Sequence, residues 1–216
     1  MTKNVNFDLM IDLEVSKIKV VFMDIGGVML TNGWDHESRA KAAEVFDFDY
    51  TEMNILHNFI YNVFEIGSIS LDEYLDTVVF DKPRDFTKYQ FKDFMYSQSV
   101  ELPQMLSWLK SWKRKIDLPV FAISSENEEL NNYRIQTFNL HELFDGFFSS
   151  CYVGYRKPDP RIFKTALEIT QVKPDECIYF DDRPMLVNAA KKLGMNSMLH
   201  QNFETTKNIL EHFIRK

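Results

Sequence analysis

Residues 18–27 read IKVVFMDIGG: a short, β-branched apolar run that stops on Asp24 and then Gly26-Gly27. The run is too short for a helix and carries no alternation, so it reads as a strand buried on both faces that ends at a loop. Two further stretches repeat the pattern. LPVFAI (118–123) stops at Ser124-Ser125, and CIYF (177–180) stops at Asp181-Asp182. Three buried strands therefore each end on a polar group. Between and after the last two lie ENEELNNYRIQTF, DPRIFKTALEIT and RPMLVNAAKKLGM, whose apolar residues recur at spacings near three and four. Such alternation of strand and helix predicts βαβ units and a parallel sheet, with the polar strand ends gathered along one carboxyl edge.

Residues 34–97 break this rhythm. They offer amphipathic pieces such as RAKAAEVF, MNILHNFIYNVF and LDEYLDTVV and no comparable strand, which predicts a helical insert. Alternation resumes after Pro103, where PQMLSWLKSWKRK reads as a helix feeding the LPVFAI strand. The expected division is a core of 1–33 and 98–216 with a helical cap of 34–97. No repeat or low-complexity segment interrupts it.

Composition narrows the function classes. The 216 residues are 45% hydrophobic and 26% charged, as expected of a folded globular chain. A net charge of −7 and scattered Lys and Arg argue against nucleic acid as a partner, although one local cationic pocket can still take a small anion. Two cysteines, Cys151 and Cys177, are too few for a disulfide framework or a zinc cluster, so a reducing cytoplasm is expected. Asp8, Asp12 and Glu14 interrupt the N-terminal stretch where a signal peptide needs an apolar run, and no segment is long and apolar enough to predict a membrane partner. No feature fixes the number of subunits.

The polar strand ends suggest phosphoryl transfer. A carboxylate at the end of a buried strand, Asp24, can attack phosphorus and split one displacement into two easier ones. A phosphate monoester is already anionic, so the attack needs a cation, and Asp181 and Asp182 offer oxygen ligands for magnesium. Without a cation, two adjacent buried carboxylates would raise each other's pKa. Lys157, in GYRKPDP, can neutralise both the carboxylate and the transferring group, and Ser124 can donate to a phosphate oxygen. Taken singly, each has a plainer reading: Asp24 as a turn former, Ser124 as a helix cap, Lys157 as a solvated surface lysine. Their joint occurrence in this order favours the chemistry.

VVFMDIGGV, AISSEN, YRKPDP and IYFDDRP resemble, in order, the four motifs of the haloacid dehalogenase-like superfamily, and the likeness runs from about residue 18 to residue 200. The resemblance implies a Rossmann-like three-layer α/β/α core with a C1-type cap. EIGSISLDEYL is similar to cap segments of the branch that includes glucose-1-phosphate phosphatases and the N-terminal domains of epoxide hydrolases. By position, Asp24 would be nucleophile and magnesium ligand, Ser124 and Ser125 substrate-binding, and Lys157 the charge stabiliser. Asp182 and the Gly26 carbonyl would bind Mg2+ directly, with Asp181 in support. The expected activity is removal of phosphate from a small phosphorylated substrate, with sugar phosphates among the candidates. Dehalogenation is disfavoured, because it does not rely on the double aspartate.

One departure stands out. The family's phosphatases usually carry a second aspartate two residues after the nucleophile, as general acid and then base; here that position is Gly26. Three accounts stay open: a substitute acid, with His36 and Glu65 as candidates; a substrate with a good leaving group; or a catalytically weak module that binds phosphate ligands or a protein. His36 is expected to be solvent-exposed and Glu65 to serve a helix end. Trp34, Tyr61 and Phe64 are expected to be ordinary packing. The missing acid would remove roughly 3–5 kcal/mol from a step with a poor leaving group. Aryl and acyl phosphates should therefore be cleaved much faster than matched alkyl phosphates; equal rates on such pairs would count against this reading.

Overall fold

In the computed structural model, which describes residues 15–214, β1 (Val20–Met23) is followed by four helices: α1 (His36–Val45), α2 (Tyr50–Glu65), α3 (Leu71–Val78) and α4 (Lys88–Ser97). The chain continues through α5 (Met105–Lys113), β2 (Val120–Ser124), α6 (Glu128–Thr137), β3 (Gly146–Ser149), α7 (Ser150–Val153) and α8 (Pro160–Thr170). It ends with β4 (Cys177–Asp181), α9 (Pro184–Lys191), β5 (Asn196–Leu199) and α10 (Phe203–Leu210). Asp8, Asp12 and Glu14 lie outside the described residues.

The strands form one parallel sheet in the order β3-β2-β1-β4-β5. β1 is central because every residue in it is apolar and buried, and its side chains alternate between two cores. Val21 and Met23 join Ile178, Phe180 and, from the helices, Leu109, Trp112 and Ile209. Val20 and Phe22 join Tyr179 with Ile162, Phe163 and Ala166 of α8. The result is the three-layer α/β/α arrangement. β3 and β5, which read GFFS and NSML, escape sequence pattern because four residues with polar members give neither an apolar run nor clean alternation.

Register fixes the functional edge. Met23 pairs with Ala122 of β2 and Phe180 of β4, so Asp24 and Asp181 both stand one residue beyond the last β1–β4 pair. The chain builds outward from β1 to β2 and β3, then returns to place β4 on the other side. The crevice outside the carboxyl ends of β1 and β4 is therefore the switch point where α/β sheets bind ligands.

Helices α1 to α4 pack around a third core of Trp34, Met53, Phe64, Tyr74, Leu75 and Phe91. Leu130 of α6 also belongs to this core and ties it to the sheet layers. Capping boxes start α3 (Ser70 with Glu73) and α4 (Thr87 with Gln90), and Asp35 and Asp49 cap α1 and α2. The α4 helix, KYQFKDFMYS, was not among the amphipathic pieces recognised in the sequence, yet it buries Phe91 and Met95 at a spacing of four. Rings of Phe46, Phe86 and Phe91 lie 4.5 to 5.9 Å apart.

Candidate active site

Asp24 leaves β1 with its backbone N–H donating to the Phe180 carbonyl at 2.9 Å, and its Oδ1 accepts from the Ile25 N–H at 2.8 Å. Its Oδ2 is 2.8 Å from the Lys157 ammonium. The same ammonium lies 2.8 Å from Asp181 Oδ2 and donates to the Tyr179 hydroxyl at 3.2 Å. Tyr179 in turn donates to Asp181 Oδ2, and the Arg183 N–H donates to Asp181 Oδ1 at 2.9 Å. Lys157 and Asp181 are buried, so this is a desolvated ion cluster.

Burial sets its protonation against its partners. It pushes Asp24 up to about 6 despite the pull of Lys157. Burial also opposes ionisation of Asp181, but Lys157 and the Tyr179 and Arg183 donors outweigh it and hold that carboxyl below its usual range. For Lys157, burial favours the neutral amine, yet Asp24 and Asp181 prevail and the lysine stays charged. Asp182 is raised by burial and by Asp181.

Asp24, Asp181 and Asp182 can each direct one carboxylate oxygen to within 4.8 Å of the others, a set of hard oxygen donors. Asp182 Oδ1 is buried without a hydrogen-bond partner. An orphaned buried carboxylate oxygen is costly unless a cation takes it, so the residues fit a divalent ion. Both oxygens of Asp24 and both of Asp181 already have a partner, which leaves Asp182 Oδ1 the open ligand atom.

Ser124 is buried at the end of β2, and both it and Ser125 line a cavity of about 460 Å³ that also exposes Asp24 and Lys157. Ser125 Oγ accepts from the Lys157 N–H at 3.0 Å, so it positions the lysine's loop while its own proton remains available to a ligand. His36 is exposed, as expected, but lines the cavity. Glu65 does more than serve a helix end. Its Oε2 is 2.5 Å from Arg156 Nε, it lines the cavity, and burial raises its pKa. Of the three aromatics assigned to packing, Phe64 is core and stacks on Tyr74 with ring centres 4.0 Å apart. Trp34, which also belongs to the third core, and Tyr61, on α2, line the cavity.

Gly26 has an unexpected neighbour. A Cβ built there would lie 3.1 Å from Asn32 Oδ1 and 3.7 Å from Arg134 Nη1. The buried Arg134 fills the space beside this glycine: it donates to the Thr31 carbonyl at 2.8 Å and to Ser99 Oγ at 3.0 Å, and its Nη1 is 3.3 Å from Glu126 Oε2. Gly33 permits this, since a Cβ there would meet Arg134 Nη2 at 2.2 Å. Glu126 is buried and lines the cavity; burial pushes it up to about 7 although Arg134 and the Asn127 N–H favour its anion. Glu126, Arg134 and Arg156 were missed in the sequence. Glu126 directly follows the Ser124-Ser125 pair and Arg156 directly precedes Lys157, which were usable signals; Arg134, inside a helix, gave none.

A family model for haloacid dehalogenase-like hydrolases matches residues 18–194. The chain belongs to that family. Among curated relatives, the phosphorylated carbohydrates phosphatase of Thermotoga maritima is 26% identical over 190 residues, covering 82% of each chain. Flavin mononucleotide hydrolase 1 of Arabidopsis thaliana is 28% identical over 155 residues, 69% of this chain. The match spans only 60% of that protein's length, and 12% and 24% of the bifunctional epoxide hydrolases 2 of Sus scrofa and Mus musculus. A solved structure of a HAD family enzyme from Bacteroides thetaiotaomicron, in complex with magnesium and inorganic phosphate, superposes with a TM-score of 0.73 at 22% identity, over 85% of this chain and 94% of that one. The family thus has phosphatases among the relatives of this chain. Among the described residues, no helix is long and apolar enough to cross a membrane.

Gly27 gives a test of the site's packing. It has φ +70°, and a Cβ there would lie 2.0 Å from Asp182 Oδ2. Gly27→Ala should lower magnesium affinity roughly 10–100-fold by displacing that carboxylate, as measured by calorimetry. Gly154→Ala, also at positive φ (+73°) but with nothing within 4 Å, isolates backbone strain and should leave affinity unchanged.

Proposed function

We propose that this hydrolase is a magnesium-dependent phosphatase of a small phosphorylated metabolite, working through an aspartyl phosphate on Asp24. The observation that carries the reading is the Lys157 ammonium 2.8 Å from both Asp24 and Asp181, with Asp182 completing an oxygen cluster at the sheet's switch point. Asp24 would attack phosphorus as the bond to the leaving oxygen breaks, and water would later release the phosphate from the aspartyl ester. Lys157 offsets the negative charge brought together in that step, and Ser124 and Ser125 supply hydroxyl donors for the phosphate oxygens. Magnesium, held by Asp24, Asp182 and the Gly26 carbonyl with Asp181 in support, would supply further charge neutralisation.

The leaving oxygen needs a proton. Glu126, buried in the cavity wall and joined through Arg134 to the space beside Gly26, is the group we assign to carry it. We assign residues 34–97 the role of a cap that closes the cavity and selects the substrate. Although the whole chain is acidic, Arg39, Arg134, Arg156, Lys157 and Arg183 line this cavity, a local field suited to an anionic ligand. A reducing, cytoplasmic setting is in keeping with Cys151 and Cys177 as free thiols.

Hydrolysis of an aryl phosphate, followed with and without magnesium, tests the reading. Asp24→Asn should lower turnover on the order of 10³-fold or more, and removal of magnesium should do the same. Equal rates for wild type and variant would overturn it. Glu126→Gln should lower turnover of alkyl phosphates by about 10²–10⁴-fold and of aryl phosphates far less; an equal loss on both would remove Glu126 from the proton's path.

A further inference from the structure

Residues of α1 and α2 line the same cavity as Asp24. Arg39, on α1, is buried at 8% exposure, lines the cavity, and has no carboxylate in ion-pair contact among the described residues. Its Nη1 donates to the Trp34 carbonyl at 2.9 Å and its Nη2 to Asn54 Oδ1 at 3.3 Å, while Nε is buried without a partner. A buried guanidinium with neutral partners and an unmet donor keeps most of its desolvation cost, which an incoming anion would offset.

His57 stands beside it as a second donor. Tyr74 is fully buried, and its hydroxyl accepts from Trp34 Nε1–H at 2.9 Å. The hydroxyl has one proton of its own, and His57 Nδ1, 2.8 Å away, is the acceptor within reach. His57 therefore carries its proton on Nε2, the ring nitrogen left for the cavity that the residue lines. Burial, with Arg39 and Arg156 nearby, pushes His57 down to about 3, so it stays a neutral donor. His57 stacks on Tyr61, and the Arg156 guanidinium sits 4.8 Å from the centre of that ring, continuing the same wall.

The neighbouring carboxylates are spoken for. Glu65 is paired with Arg156, Glu126 with Arg134, and Asp35 accepts the Ser38 N–H as the cap of α1. The wall offers an incoming ligand a guanidinium with an unmet N–H and a neutral N–H donor, and two of the three neighbouring carboxylates are paired with arginines.

We propose that this wall is a subsite for a second anionic group, a carboxylate or a second phosphate, carried by the same molecule whose scissile phosphate sits at Asp24. The substrate class is then phosphate monoesters with a distal negative charge. Arg39 forms the charge-assisted bond and His57 Nε2–H fixes the acceptor's direction. The inference rests on the phosphatase reading for the position of the scissile group.

Binding of non-hydrolysable phosphonates, measured by calorimetry in the presence of magnesium, tests it independently of turnover. A series of phosphonoalkanoates of increasing length is compared with alkylphosphonates of equal length, and alkane diphosphonates form a parallel arm. At one chain length the doubly anionic probe should bind wild type about tenfold or more tightly than its singly anionic match, and the arm that wins tells carboxylate from phosphate. Arg39→Gln should remove that preference. Because it is a ratio within one preparation, partial unfolding does not mimic the effect; if Arg39→Gln fails to fold, Arg39→Lys, which keeps a charge but not the planar fork, should lose the preference several-fold. Equal binding of matched probes by wild type at every length, or full preference in an Arg39 variant, would overturn the subsite. A preference for doubly anionic probes together with no hydrolysis of any phosphate would leave the subsite standing and sink the phosphatase reading instead.

Discussion

An ammonium ion buried between two carboxylates is the interaction on which the rest of this molecule depends. Lys157 sits 2.8 Å from Asp24 and 2.8 Å from Asp181, and the three come from separate segments: the end of β1, the loop before α8 and the end of β4. Removing one partner from such a cluster leaves a buried charge uncompensated, at a cost of about 3–5 kcal/mol. The cluster can be held only where the ends of β1 and β4 are adjacent, and the sheet order provides that adjacency. Ser125 fixes the lysine's loop from β2, so a third strand end takes part.

Around this centre the glycines mark where backbone and charge come closest. Gly27 makes room for the Asp182 carboxylate and Gly33 for the Arg134 guanidinium, and at both the chain has positive φ. Gly26 differs: its backbone is ordinary, and the space beside it is filled from a distance by Arg134, which carries Glu126 with it. A site that lacks a carboxylate on its own loop has one nearby, contributed by the segment after β2. Helices α1 and α2 contribute Arg39, His57 and Tyr61 to the same cavity, so it is lined from both the sheet edge and the helices of 34–97.

The three strand-end signals were legible in the sequence because each is local. A buried apolar run that ends on Asp24, on Ser124-Ser125 or on Asp181-Asp182 is visible within ten residues, and the ordered spacing of these signals is enough to imply a parallel sheet with one polar edge. Lys157 was legible only through its setting in YRKPDP, since an isolated lysine says nothing. The helical character of 34–97 was legible from amphipathic spacing, although α4 was not, and β3 and β5 were too short to announce themselves.

The sequence by itself determined the alternation of strands and helices, the polar residues at the strand ends and the family they resemble, because these depend on near neighbours along the chain. Only the tertiary structure decided what surrounds Gly26, that Glu65 pairs with Arg156, and that Arg39 and His57 line the same cavity as Asp24. Those contacts join residues as far apart as Glu65 and Arg156, whose side chains meet at 2.5 Å between the end of α2 and the loop before α8. The physical reason is that burial and pairing are properties of a folded interior: a guanidinium or a carboxyl acquires its partner, its protonation and its role only when packing removes water from around it.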